Sequence, residues 1–78
     1  MSDYKMDIKG CIGLSEYSNI HDYLGVVDKD DNFTITLKRN SNQEINIISS
    51  MLRDNNFNII SEGYDEKGIY YICAHKIK

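Results

Sequence analysis

Cys11 is the side chain best placed to do chemistry in this chain of 78 residues. It follows a segment of alternating polarity and precedes one with helical periodicity, so we expect it close to a helix N-terminus. The backbone N–H groups and the dipole at such a terminus stabilise a thiolate, the form of cysteine that attacks substrates or carries sulfur. Cys11 is therefore a candidate nucleophile or persulfide carrier. The alternative is a small, partly buried apolar side chain at a turn.

Cys73 and His75 are two residues apart, and on a strand they would share one face. Together with Cys11 and His21 they supply the donor atoms of a Cys₂His₂ zinc site. Their spacing matches no recognised zinc motif, and the chain contains no C-x-x-C. We therefore predict no metal site and no cofactor.

The segment from Asp28 to Arg39 begins like a calcium-binding EF-hand loop. Asp28, Asp30 and Asn32 have the spacing of the first three ligands of that loop. However, Phe33 stands where the sharp turn needs glycine, and Arg39 stands where the bidentate glutamate belongs. We predict an ordinary polar turn here.

Two adjacent tyrosines, Tyr70 and Tyr71, lie in a segment rich in β-forming residues and must point to opposite faces of a strand. If Tyr71 faces away from the core, it joins Cys73 and His75 on an uncovered side of the sheet. An uncovered sheet face with an aromatic side chain is typical of a partner-binding surface. The alternative is that these are ordinary solvent-exposed side chains of a strand, with no binding role. Tyr71, Cys73 and His75 are therefore the candidate binding residues.

The elements that position these residues follow from hydrophobic periodicity. Alternation or β-rich composition predicts four strands, the last two joined by a short polar turn and therefore antiparallel. Their ranges are Tyr4–Lys9, Asn32–Lys38, Phe57–Tyr64 and Ile69–Ile77.

Helical spacing of apolar residues predicts two helices, over Leu14–Val27 and from Ser41 to Asp54. Ser41 and Glu44 have the spacing of a capping box, whereas Ser15 or Ser18 is expected to cap the first helix. Gly25 is a candidate for its end, with Val26 and Val27 packing beyond it. The two apolar stripes contain Leu14, Tyr17, Ile20, Leu24 and Val27 in the first helix, and Ile45, Ile47, Ile48, Met51 and Leu52 in the second.

The predicted order of elements is β-α-β-α-β-β within a single domain spanning residues 1–78. Strands and helices with one apolar side each bury those sides against one another. We predict an α+β fold: a two-layer α/β sandwich in which both helices cover one face of a mixed four-stranded sheet.

Charge and composition narrow the classes of partner. The net charge is −3, with acidic and basic residues interspersed, so the basic face of a nucleic-acid-binding module is not expected. Apolar runs are too short to span a membrane, and residues 1–5 lack an apolar signal region. We predict a cytosolic protein with free thiols, whose partner is another protein or a second copy of itself.

Several segments resemble a known family. Residues Asp7–Cys11 form the end of a strand in which an aspartate and a glycine precede a cysteine. Phe57–Glu62 and Gly68–Ile72 form a closing hairpin, followed by the basic Lys76. In these features and in the order of its elements the chain resembles the TusA/SirA-like sulfur-carrier family.

That resemblance implies a two-layer α/β sandwich with a persulfide-bearing cysteine at the start of the first helix. The family's signature there is Cys-Pro-x-Pro, whereas this chain has Cys11 followed by Ile-Gly-Leu and contains no proline. Only Cys11 therefore corresponds to a functional residue of the family.

Three functional hypotheses follow. The first is a small, non-enzymatic protein-binding or regulatory module that uses the uncovered face of its sheet. The second is a sulfur-relay carrier that uses Cys11. The third, which rests on small size and acidic charge, is a phage- or plasmid-encoded inhibitor of a bacterial protein.

Overall fold

The computed structural model describes residues 3–10, 13–29, 31–38 and 41–77. It has the predicted order of elements, and each boundary lies within one residue of its predicted position. The elements are β1 (Asp3–Ile8), α1 (Leu14–Val26), β2 (Asn32–Leu37), α2 (Asn42–Asp54), β3 (Phe57–Tyr64) and β4 (Tyr70–Lys76).

The four strands form one mixed sheet in the order β1-β2-β4-β3. β1 and β2 are parallel neighbours, and β4 runs antiparallel to both β2 and β3. The chain therefore passes from β2 through α2 to β3, leaves a gap between those strands, and fills it with β4 by way of a tight turn. The last strand in the sequence is a central strand of the sheet.

Both helices cover the same face of the sheet. Alternate residues of the two central strands are fully buried, among them Phe33 and Ile35 in β2 and Ile72 in β4. They share one apolar cluster with Ile20 of α1 and Ile48 of α2. Because successive strand residues point to opposite faces, one shared cluster requires both helices on one side. The predicted two-layer α+β architecture is confirmed.

The capped start of α2 is confirmed, and its buried stripe needs one correction. The Ser41 hydroxyl oxygen accepts the backbone N–H of Glu44 at 3.3 Å. Ile45 is buried as predicted, but Ile47 is 39% exposed, because two helical residues turn it about 200° away from Ile45. The small side chain of Ser49 is buried beside the stripe instead.

The start of α1 differs from the prediction. Gly13 is the N-cap residue, and its backbone N–H donates to the carboxylate of Glu16 at 2.9 Å. Leu14 was expected in the buried stripe but is 87% exposed. It lies about 100° around the helix from the midpoint of the buried pair Ile20 and Leu24, so its side chain points past the edge of the core.

The other α1 expectations also need correction. Ser15 and Ser18 lie inside the helix and cap nothing. Gly25 does not end the helix, which continues to Val26 and has Val27 as its C-cap residue. Val27 is fully buried as expected, whereas Val26 is 61% exposed. In the described ranges, no helix is long and apolar enough to cross a membrane.

Candidate binding surface on the open face of the sheet

The structure brings the three predicted binding residues together on one surface. Tyr71, Cys73 and His75 are half-buried and alternate along β4 with the buried Tyr70, Ile72 and Ala74. Their side chains therefore point away from the helices. We call this side of the sheet the open face; it carries Tyr71, Cys73 and His75 of β4 and Thr34 and Thr36 of β2.

Hydrogen bonds tie the open-face side chains of neighbouring strands together. Thr34 lies opposite Cys73, and the hydroxyl oxygen and the sulfur are 3.0 Å apart. Thr36 lies opposite Tyr71 and donates its hydroxyl hydrogen to the carboxylate of Asp7 on β1. The hydroxyl groups of Thr34 and Thr36 are thus paired within the sheet before any partner arrives.

A β-bulge in β3 adds an apolar side chain that sequence reasoning missed. The pairing with β4 shifts between Ile59 and Ser61, so Ile60 is the extra residue. Ile60 is 56% exposed and lines a shallow depression of about 540 Å³ together with Thr34, Ser61 and Cys73. The signal was present in the sequence, because two consecutive isoleucines break the alternation of the strand.

Gly63 gives the ring of Tyr71 its place on the open face. The two residues are opposite each other in the β3–β4 pair. A methyl group at Gly63 would lie 3.7 Å from the hydroxyl oxygen of Tyr71 and 3.9 Å from two of its ring carbons. The ring therefore packs across the bare backbone of β3, which is a recurrent use of glycine in a strand.

Tyr70, on the core side of β4, closes the hairpin. Its hydroxyl donates to Oε1 of Glu62 at 2.5 Å, and its ring meets that of Tyr64 edge-on at 4.9 Å between centroids. Burial and, secondly, the hydrogen bond to Glu62 raise the pKa of Tyr70 from 10.0 to about 12. The phenol therefore stays protonated, and keeps donating, to a higher pH than an ordinary tyrosine.

A second depression, of about 610 Å³, lies where β1 and β2 end. Four lysines line it: Lys5, Lys9, Lys38 and Lys67. We call it the lysine depression. Lys5 also lines the depression around Cys73, so the two hollows adjoin across the sheet. These lysines come from three separate segments, so sequence reasoning did not group them.

The remaining predicted residues lie apart from this surface. His21 is exposed on α1, in the helical layer, and is not brought to Cys73 and His75. Within the described ranges no group of three or more His, Cys, Asp or Glu side chains could hold a metal ion. Cys11 lies outside the described residues, so its roles as persulfide carrier or nucleophile stay predictions.

The polar turn before β2 is closed by its own hydrogen bonds. The carboxylate of the buried Asp31 accepts the backbone N–H of Asp28 at 3.1 Å. The N–H of Asp31 in turn donates to the carbonyl oxygen of Asp28 at 3.1 Å. Of the supposed calcium ligands, Asp30 lies outside the described residues.

No protein-family model, no curated protein and no solved structure matches this chain significantly. The resemblance to the TusA/SirA-like sulfur carriers therefore stays a prediction from the sequence.

Proposed function

We propose that this chain is a small, non-enzymatic, cytosolic protein-binding or regulatory module whose partner docks on the open face of the sheet. The observation that carries the proposal is that the two threonine hydroxyls on that face already have hydrogen-bond partners within the sheet. Burying a polar group without a partner costs about 1–3 kcal/mol. The hydroxyls of Thr34 and Thr36 already have partners in Cys73 and Asp7, so covering them costs less.

The apolar groups of the open face supply the attraction. Tyr71 offers a large aromatic ring with a polar tip, and Ile60 offers an aliphatic side chain that is 56% exposed. Tyrosine is enriched in protein interfaces for this combination of area and hydrogen bonding. A partner that covers both side chains removes apolar area from water without breaking the threonine pairs.

The dimensions of the molecule suit an interface of ordinary size. The Cα atoms extend 29 × 27 × 17 Å, so the molecule is a slab with two broad faces. A typical partner contributes about 800 Å² to a stable interface, close to the area of one such face. One partner, or a second copy of this chain, is therefore enough to cover the open face.

Two exposed isoleucines provide the test. A photo-crosslinking residue replaces Ile60 on the open face in one variant and Ile47 on α2 in the other. Adducts are expected from position 60, and they should disappear in competition with unlabelled protein but persist in competition with Ile60→Arg. Adducts from position 47 alone, or equal competition by Ile60→Arg and Ile47→Arg, would contradict the proposal.

Sedimentation equilibrium separates the two kinds of partner. If the partner is a second copy of this chain, the measured mass should rise with protein concentration towards twice the monomer mass. In Ile60→Arg it should stay at the monomer value. A different partner predicts a monomer in both proteins, with cross-links only to another chain. A dimer that Ile47→Arg dissociates and Ile60→Arg does not would place the interface on the helices.

A further inference from the structure

The lysine depression is built where two parallel strands end side by side. Lys9 and Lys38 directly follow β1 and β2, and the backbone N–H of Lys38 donates to the carbonyl oxygen of Ile8 at 2.9 Å. Lys67 approaches from the turn between β3 and β4, and Lys5 from the middle of β1. The fold thus gathers four ammonium groups around one hollow on the open face.

The two carboxylates of this hollow are already engaged. Asp7 accepts the hydroxyl of Thr36, and its Oδ1 is 4.0 Å from the ammonium nitrogen of Lys5. Asp65 accepts the backbone N–H groups of Lys67 and Ile69 at 2.8 and 2.9 Å, which holds the turn. Both acids therefore serve the local structure of the sheet.

Positive charge remains in excess, because four lysines and two aspartates line the depression. Among the described residues, Lys9, Lys38 and Lys67 form no ion pair. The chain as a whole carries a net charge of −3, so the local charge of the lysine depression is opposite in sign to that of the whole protein. Concentrated charge of one sign in a hollow attracts a partner of the opposite sign and orients it during encounter.

We propose that the lysine depression binds an acidic, extended peptide segment of the partner, with its Asp or Glu carboxylates facing Lys9, Lys38 and Lys67. This inference rests on the proposed binding role of the open face and specifies the chemistry of the partner. A carboxylate-bearing peptide suits a surface depression that is lined by lysines from three segments.

One observation favours carboxylates over phosphate groups. The backbone N–H groups of Lys67 and Ile69, which could have formed an anion nest, are occupied by Asp65. The lysine ammonium groups are left as separate point charges, and these suit carboxylates spaced along a peptide.

The arrangement of the three lysines explains why the segment should be extended. Lys9 follows β1, Lys38 follows β2, and Lys67 lies in the turn between β3 and β4, so the three form a row across one end of the sheet, whose order is β1-β2-β4-β3. An extended segment lying along this row turns every second side chain towards the sheet. Acidic side chains at alternate positions would therefore meet the lysines.

A synthetic peptide of about ten residues with glutamate at alternate positions tests the inference, and its glutamine counterpart is the control. Heteronuclear NMR titration is expected to shift the amide signals of residues 5–9, 36–38 and 65–69. Affinity should fall as salt is raised, because the attraction is electrostatic. Equal binding of the glutamine peptide, or no binding of the glutamate peptide, would overturn the inference.

Charge reversal localises the effect. Lys9→Glu with Lys38→Glu is expected to weaken binding of the glutamate peptide by about tenfold or more. The matched control, Lys29→Glu with Arg53→Glu, changes the net charge equally at exposed positions outside the depression and should change affinity by less than about twofold. Lys9→Gln with Lys38→Gln should lie between the two. Equal effects of the two reversals would count against the site.

Phosphate recognition is tested with inorganic pyrophosphate in the same titration. If pyrophosphate binds the lysine depression more tightly than the glutamate peptide does, the acidic-peptide inference is wrong. The peptide experiment needs no natural partner, so its failure leaves the binding role of the open face intact. That role is judged separately by the cross-links from position 60.

Discussion

The hydroxyl of Tyr70 donates a hydrogen bond to the carboxylate of Glu62 across the β3–β4 hairpin, at 2.5 Å between the oxygens. The bond joins the outermost strand β3 to the central strand β4 on the core side of the sheet. It therefore contributes to holding the strand that carries Ile60 against the strand that carries Tyr71.

Removing this hydroxyl should destabilise the protein. Tyr70→Phe is expected to lower the free energy of unfolding by about 1–2 kcal/mol, since a hydrogen bond to a charged group is lost. Urea denaturation measures the change. Tyr17→Phe is the control, because Tyr17 packs against the core without a hydroxyl hydrogen bond among the described residues. Equal losses in the two variants would show that the Glu62 contact contributes nothing.

The same pair predicts the response to alkaline pH. The pKa of Tyr70 is raised from 10.0 to about 12 in the folded state, so between these values the native protein holds a proton that the unfolded chain releases. Its contribution to stability is complete below pH 10 and is lost as pH rises towards 12. Denaturation at several pH values should show a steeper loss of stability in the wild type than in Tyr70→Phe. Parallel pH profiles would rule out this linkage.

The two helix starts predict opposite outcomes for similar serines. Ser41→Ala should cost about 1 kcal/mol, because the Glu44 N–H loses its acceptor. Ser15→Ala and Ser18→Ala should be neutral or slightly stabilising, since both residues lie exposed inside α1. Thermal unfolding of the three variants checks this. A large loss of stability in Ser15→Ala or Ser18→Ala would show that the replaced serine does cap α1.

Two glycines should respond to alanine with opposite signs. Gly68 has a φ of 79°, a left-handed conformation that costs alanine about 1–2 kcal/mol. A methyl group at Gly63 would only touch the ring of Tyr71 at ordinary contact distance. Gly63→Ala should therefore be neutral or stabilising by up to about 1 kcal/mol, because alanine lowers the conformational entropy of the unfolded chain. Chemical denaturation distinguishes the two, and loss of stability in Gly63→Ala would refute the packing described.

The sulfur-relay hypothesis predicts one labelled thiol. A persulfide donor should transfer its outer sulfur to the thiolate of Cys11 and leave as a thiol, which adds the mass of one sulfur atom. It should spare Cys73, a half-buried residue whose sulfur is paired with the hydroxyl of Thr34. Mass spectrometry of the wild type, Cys11→Ser and Cys73→Ser resolves the sites. If Cys11→Ser accepts the same label, Cys11 is not the carrier.

Periodicity predicted most of this fold because each element has one buried side. The alternation of Phe33, Ile35 and Leu37 marks β2 clearly, and the same three residues are fully buried. Short-range signals also located the α2 cap at Ser41. These features depend on residues close in sequence, so the sequence reveals them directly.

The predictions of burial failed at one residue in each helix. Leu14 lies at the edge of the contact between α1 and the sheet, whereas Ile47 lies on the side of α2 that faces away from the buried stripe. The bulge at Ile60 also escaped, because it is a property of the β3–β4 register and not of β3 alone. The lysine depression was invisible for a similar reason, since it joins the ends of separated segments.

The central position of β4 has a consequence for synthesis. While residues 70–76 are still inside the ribosome, no strand lies between β2 and β3. Both strands then have an unpaired edge that can pair with another chain. The four-stranded sheet can form only after residues 70–76 have left the ribosome. Early termination before residue 70 should therefore yield an aggregating fragment instead of a smaller version of the same molecule.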